Sequence, residues 1–132
     1  MRDQALFCYG TLRHPAIMAA VAGADLPQVP ALLSGYACCC LRGEVFPGLL
    51  ASPGEQVEGV LYRGLSAAHL QRLDAYEGDW YERRLLTVSL DAEQRDAWVY
   101  LLSPAGQRFL EPQPWSYAPF LEQHLAAYLK SL

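Results

Sequence analysis

The chain has 132 residues, of which 52% are hydrophobic, 11% aromatic and 18% charged, and its net charge is −4. That length buries one core, so a single domain over residues 1–132 is expected, and the composition is that of a compact chain rather than a disordered one. An acidic balance without a basic run argues against a nucleic-acid or anionic-membrane surface, and neither is expected as a partner. The opening "MRDQALFCYGTLR" has charges at Arg2 and Asp3 before a short apolar run, which fits neither a signal peptide nor a membrane span. A cytoplasmic location with four reduced cysteines is the expectation that follows.

Strands are expected at Leu6–Tyr9, Ala31–Gly35, Ala37–Leu41, Val57–Tyr62, Arg84–Leu90 and Ala97–Leu102, apolar and aromatic runs bounded by Gly, Pro or charge. A first helix starts near Pro15, a residue suited to the first helical turn, and stops at Gly23. A second follows Ser66. A third runs from about Pro119 to the end, where Leu121, Leu125, Tyr128 and Leu132 recur at helical spacing. The proline-rich Ser103–Ser116 reads as a long loop, and loops of that length in compact domains are often functional. Many strands joined by short turns, with few helices and no regular βαβ alternation, give an α+β fold with a mixed sheet curled toward a small barrel.

The segment "GLSAAHLQRLDAYEG" reads as one complete helix. Ser66 is its N-cap, Leu65 and Leu70 form a hydrophobic staple, and Gly78 is the left-handed residue that ends it. At about 100° per residue, Leu73 and Asp74 flank Leu70, and Glu77 lies within about 20° of Leu70. Glu77 therefore points where the leucines point. Burial disfavours its anion, and the negative end of the helix disfavours it too, so both effects favour a group that exchanges protons near neutral pH. The alternative is an ion pair with Arg83 or Arg84 that only fixes the following turn.

"LFCYGTLRHP" is the second informative stretch. A buried strand ends at Tyr9, and Gly10, Thr11 and Leu12 lead to the helix near Pro15. Glycine permits a sharp turn and close approach of a ligand, and successive N–H groups between a strand end and a helix start can form an anion nest. An ordinary tight connection is the competing reading. No phosphate-binding or dinucleotide glycine motif is present.

Other constellations are weaker. Cys38, Cys39 and Cys40 alternate faces on a strand and cannot all grip one ion, so no metal is expected and the thiols read as core fillers. A Ser-His-Asp hydrolase would lack its elbow motif. Cys8 with His14 could form a thiol nucleophile, although a mid-strand cysteine is usually buried and inert. Tyr9, Tyr62, Tyr76 and Tyr100 read as core or pocket lining rather than as a stacking platform for bases.

The sequence resembles the gamma-glutamylcyclotransferase-like superfamily, in the branch of small bacterial and plant proteins related to avirulence-induced-gene proteins. "YGTLRHP" is similar to its Tyr-Gly-(Ser/Thr)-Leu motif. "GEVFPGLLASPGEQVEGVLYRGL" is similar to its middle segment, where a Pro-Gly pair precedes a Val-x-Gly strand, and "LDAYEGDWYERRLLTV" to the segment with its acidic residue. The resemblance implies an α+β fold around a small mixed barrel. It implies Glu77 as the catalytic glutamate, Tyr9, Gly10, Thr11 and Leu12 as the loop that holds a glutamyl moiety, and Trp115 or Tyr117 beside the substrate.

The implied reaction is intramolecular cyclisation of a gamma-glutamyl amide to 5-oxoproline, an acyltransferase- or lyase-type activity needing no cofactor. A binding module on the same fold and a Cys8 thiol enzyme are the alternatives. The amine side of the substrate and the oligomeric state are open.

Overall fold

A computed structural model describes residues 4–132; residues 1–3, which begin the stretch expected to be neither leader nor span, lie outside the described residues. The elements in chain order are β1 (Gln4–Cys8), α1 (Pro15–Ala22), β2 (Gln28–Leu41), β3 (Pro47–Leu65), α2 (Ala67–Glu77), β4 (Tyr81–Leu90), β5 (Glu93–Leu102), α3 (Pro104–Gln107), β6 (Leu110–Pro114), α4 (Tyr117–Gln123) and α5 (Leu125–Ser131). The strands form one sheet in the order β3-β1-β5-β4-β2-β6, and a further pairing of β2 with β3 curls it back on itself. β1 and β5 run parallel while the other pairs are antiparallel, which gives the mixed curled sheet that the sequence led us to expect. Among the described residues no helix is long and apolar enough to cross a membrane.

Period-two alternation divides the core. Phe7 on β1 and Tyr9 just after it face a cluster with Leu33, Val57, Leu61, Val88 and Val99 from the other strands. Leu6 and Cys8 face the helices, packing with Ile17, Met18, Leu70, Leu73 and Phe120. Ile17 and Leu73 are completely buried, and side chains of this kind contribute about 1.5–3 kcal/mol each. Arg72 of α2 donates to the Ala22 carbonyl at 3.0 Å, tying α2 to the end of α1 beside its left-handed Gly23 cap.

The helix that carries Glu77 is defined at both ends. The Ser66 side chain accepts from the His69 amide, and the His69 ring accepts from the Ser66 amide, so a histidine completes the capping box. Gly78 ends α2 with φ 69° and ψ −155°. Its φ is positive as expected, but its ψ is extended rather than left-handed helical, and a short 3-10 turn, Gly78–Trp80, leads on to β4.

Several expectations are corrected. β1 ends at Cys8, one residue before Tyr9. Ala31–Gly35 and Ala37–Leu41 are one strand, because Gly35 at φ 89° supplies a bulge instead of a break. Opposite it the register jumps from Ser34↔Gln56 to Tyr36↔Ala51, so residues 52–55 loop out and both halves of β3 stay on β2. The segment Ser103–Ser116 is not a bare loop. It holds α3, capped by the Ser103 side chain, and β6, whose Pro112 and Pro114 are tolerated because β6 is the sheet edge. The last helix is two, parted at His124 with φ −127°.

Candidate active site

The turn after β1 is built from behind. The Tyr62 hydroxyl donates to the Leu12 carbonyl at 2.6 Å, and Gln28 Nε2 donates to the Tyr62 oxygen at 2.9 Å and to the Arg13 carbonyl at 3.2 Å. Gly10 allows the Pro47 ring to pack against it, since a Cβ there would stand 2.9 Å from the proline Cδ. With the carbonyls of the short helical turn Thr11–Arg13 held, the N–H groups of Gly10, Thr11 and Leu12 donate to no acceptor among the described residues, as at any helix start. Tyr62→Phe strands the buried Leu12 carbonyl. It is expected to cost about 1–3 kcal/mol, read as a lower urea midpoint; an unchanged midpoint would contradict that role.

A cleft of about 580 Å³, its open mouth included, lies against this turn. Tyr9, Gly10, Thr11 and Leu12 form one wall and Glu77 with Tyr76 another, so the structure brings the sequence-selected residues together. The hydroxyl of Tyr9 is tied to the Tyr100 carbonyl at 2.6 Å, and that of Tyr81 to the Pro47 carbonyl at 2.6 Å. The Thr11 hydroxyl is 3.4 Å from that of Tyr76, which also bonds the hydroxyl of Tyr128. Burial raises the phenols of Tyr9, Tyr76, Tyr81 and Tyr100, keeping them neutral. Tyr62, by contrast, supports the turn and does not line the cleft.

Glu77 is the one formally charged residue of the lining among the described residues. Burial, and secondly the carboxylate of Asp74, push its carboxyl up to about 8. It takes part in no ion pair among the described residues, because the arginines expected to reach it are engaged elsewhere. Arg83 grips Asp74 with Nε and a terminal nitrogen at 2.9 and 3.1 Å, and Arg84 meets Glu82 at 2.9 Å. Asp74 also accepts from the Tyr100 hydroxyl at 2.7 Å. Burial alone would raise the Asp74 carboxyl, but these hydrogen bonds outweigh it and hold it below the ordinary range. Two carboxylates one turn apart thus have opposite environments: Asp74 is held as an anion, and the Glu77 carboxyl is pushed up toward neutral pH.

Cys8 also lines the cleft, but burial and then the nearby Glu77 raise its thiol well above the ordinary value. That is the setting of a thiol that stays protonated, opposite to an activated nucleophile.

Residues 6–117 match the family described as gamma-glutamyl cyclotransferase, AIG2-like. The chain belongs to that family. Protein AIG2 C of Arabidopsis thaliana is 36% identical over 83 residues, covering 63% of this chain and 50% of that protein. The chain spans about half the length of the first such relatives it matches, at 50% and 49%. A solution structure of an Arabidopsis thaliana protein superposes with a TM-score of 0.73 at 25% identity, covering 99% of this chain and 80% of that one. A structure titled gamma-glutamyl cyclotransferase gives 0.70 at 17% identity over 98% and 86%, a likeness of fold alone.

Within this AIG2-like chain, neither Trp115 nor Tyr117 lines the cleft. The Trp115 indole is committed to the Val45 carbonyl at 2.8 Å, and the Tyr117 ring carries the Arg13 guanidinium at 4.2 Å. The C-terminal aromatic in the wall is Tyr128, beyond the residues that match the family. Phe46, Pro47 and Tyr81 were not selected from the sequence either. The Pro-Gly pair was a signal for Pro47, but nothing local told its packing against Gly10 from an ordinary turn.

Proposed function

We propose that this chain cyclises a gamma-glutamyl amide to 5-oxoproline and releases an amine or amino acid, with Glu77 carrying the proton. The observation behind this reading is a carboxylate without an ion-pair partner among the described residues, pushed up to about 8, sharing one cleft with the amides of a strand-to-helix turn that donate to no acceptor among those residues. Membership of the family supports chemistry of the gamma-glutamyl cyclotransferase type. The amides of Gly10, Thr11 and Leu12 hold the substrate α-carboxylate or the oxyanion that develops on the γ-carbonyl oxygen. Glu77 takes a proton from the α-ammonium, and the freed amine attacks the γ-carbonyl carbon. As the new C–N bond closes the ring, the bond to the leaving nitrogen breaks; Glu77 gives its proton to that nitrogen and takes up the second proton of the ring nitrogen, so the amine departs neutral, the lactam nitrogen keeps one hydrogen, and the proton left on Glu77 passes to solvent. No water is consumed. Nucleophile and electrophile belong to one molecule, so holding the folded conformer supplies much of the acceleration; effective molarities on the order of 10⁵ M are reached in well-oriented cases.

The pH profile tests the assignment. Only the Glu77 carboxylate accepts a proton, and below its pKa the group is protonated, so kcat/KM is expected to rise with pH and level off above about 8. A rising limb in the ordinary carboxylate range, near about 4, would contradict this use of Glu77.

A further inference from the structure

Asp74 and Glu77 lie three residues apart on α2, a spacing that makes side chains neighbours on one helix face. Arg83 reaches the Asp74 carboxylate and so comes to the level of the last turn of α2. Its guanidinium also stacks 4.3 Å over the Trp98 ring, whose indole donates to Gln4 at 2.7 Å, so it is held from a second side. On the remaining flank Tyr100, a residue of the cleft wall, donates its hydroxyl to Asp74.

We propose that Asp74 is a positioning residue for Glu77: by engaging Arg83 with both oxygens it keeps that cation from pairing with Glu77, and by accepting from Tyr100 it locks the last turn of α2 to the cleft wall. This rests on the reading of Glu77 as the proton carrier. Among the described residues the other titratable groups that face Glu77 are Tyr76 on α2, Cys8 on β1, Tyr9 just after it, Tyr81 on β4 and Tyr100 on β5, with Tyr128 of α5 reaching Tyr76. Burial raises the thiol of Cys8 and the phenols of Tyr9, Tyr76, Tyr81 and Tyr100, which keeps them neutral, so among the described residues Asp74 is the anion that acts on Glu77 and Arg83 is the cation it restrains.

The test is a carbon-13 NMR titration of the Glu77 side-chain carboxyl, assigned by its disappearance in Glu77→Gln. Asp74→Asn removes the anion and frees Arg83, and both changes favour the Glu77 carboxylate. Its midpoint is expected to fall by at least about one pH unit. Arg83→Gln leaves Asp74 without its counter-charge and is expected to leave the Glu77 midpoint unchanged or higher, which keeps the test intact if Asp74→Asn fails to fold. A merely structural Asp74 would lower stability without moving the Glu77 midpoint, and that result, or a fall in Arg83→Gln, overturns the inference. These midpoints do not depend on turnover. Wild-type protein with the expected midpoints but no 5-oxoproline from any gamma-glutamyl amide would instead overturn the cyclisation reading.

Discussion

Glu77→Gln is expected to lower turnover of a gamma-glutamyl amide by about 10²- to 10⁴-fold while the protein stays folded. The amide side chain keeps the size of the carboxyl group but neither accepts the ammonium proton nor returns it. Stability should move the other way. The folded-state pKa of Glu77, pushed up to about 8, lies above the unfolded value of about 4.3. Between those two values the folded state binds more protons than the unfolded state, so wild-type stability falls as pH rises through that window. Glutamine removes the dependence. The variant is expected to exceed wild type in stability at pH 8, by on the order of 2 kcal/mol once solvent reaching the carboxylate through the cleft is allowed for. Urea unfolding at pH 5 and pH 8 checks this. A variant that is inactive but less stable than wild type at pH 8 would point to a structural carboxylate.

Gly59→Ala should have the largest effect on folding. Gly59 sits on β3 where β3 passes the end of β1. A Cβ there would run into the Cys8 carbonyl oxygen and lie 2.7 and 2.9 Å from Phe7 ring atoms. The first obstacle is backbone, and Phe7 is only 1% exposed, so neither side can give way cheaply. A loss of about 3 kcal/mol or more is expected, seen as a Tm lower by about 10 °C or more. A Tm within about 2 °C of wild type would show that the strands separate more freely than this packing allows. The same crowding explains why a glycine follows Val57 and Glu58: the strand end that delivers Tyr9 and Gly10 to the cleft needs that close approach.

The parts of this fold that were legible in the sequence are those fixed by neighbours along the chain. Pro15 and Gly23 bound α1, and Ser66 and Gly78 bound α2, because caps and positive φ angles are local requirements. The inward direction of Glu77 followed from helical geometry alone. What was not legible depends on partners distant in sequence. Ser-Gly at residues 34–35 and Pro-Gly at 53–54 look like breaks, and only the pairing of β2 with β3 turns the first into a bulge and the second into a loop within one strand. Pro112 and Pro114 hid β6, since nothing local says that a strand will lie at an edge. Tyr128 was visible as a packed residue by its spacing, but the cleft it lines exists only once α5 meets α2. For Glu77, the sequence left an ion pair with Arg83 open, and the competing hold of Asp74 on that arginine decides against it.

The most direct measurement is mass-spectrometric analysis of wild-type protein incubated with a panel of gamma-glutamyl amides in ¹⁸O-labelled water. Cyclisation predicts 5-oxoproline without label, together with an equal amount of free amine. Labelled glutamate would mean hydrolysis by water, and thermal stabilisation by the amides without any product would mean a binding cleft; either result would contradict cyclisation.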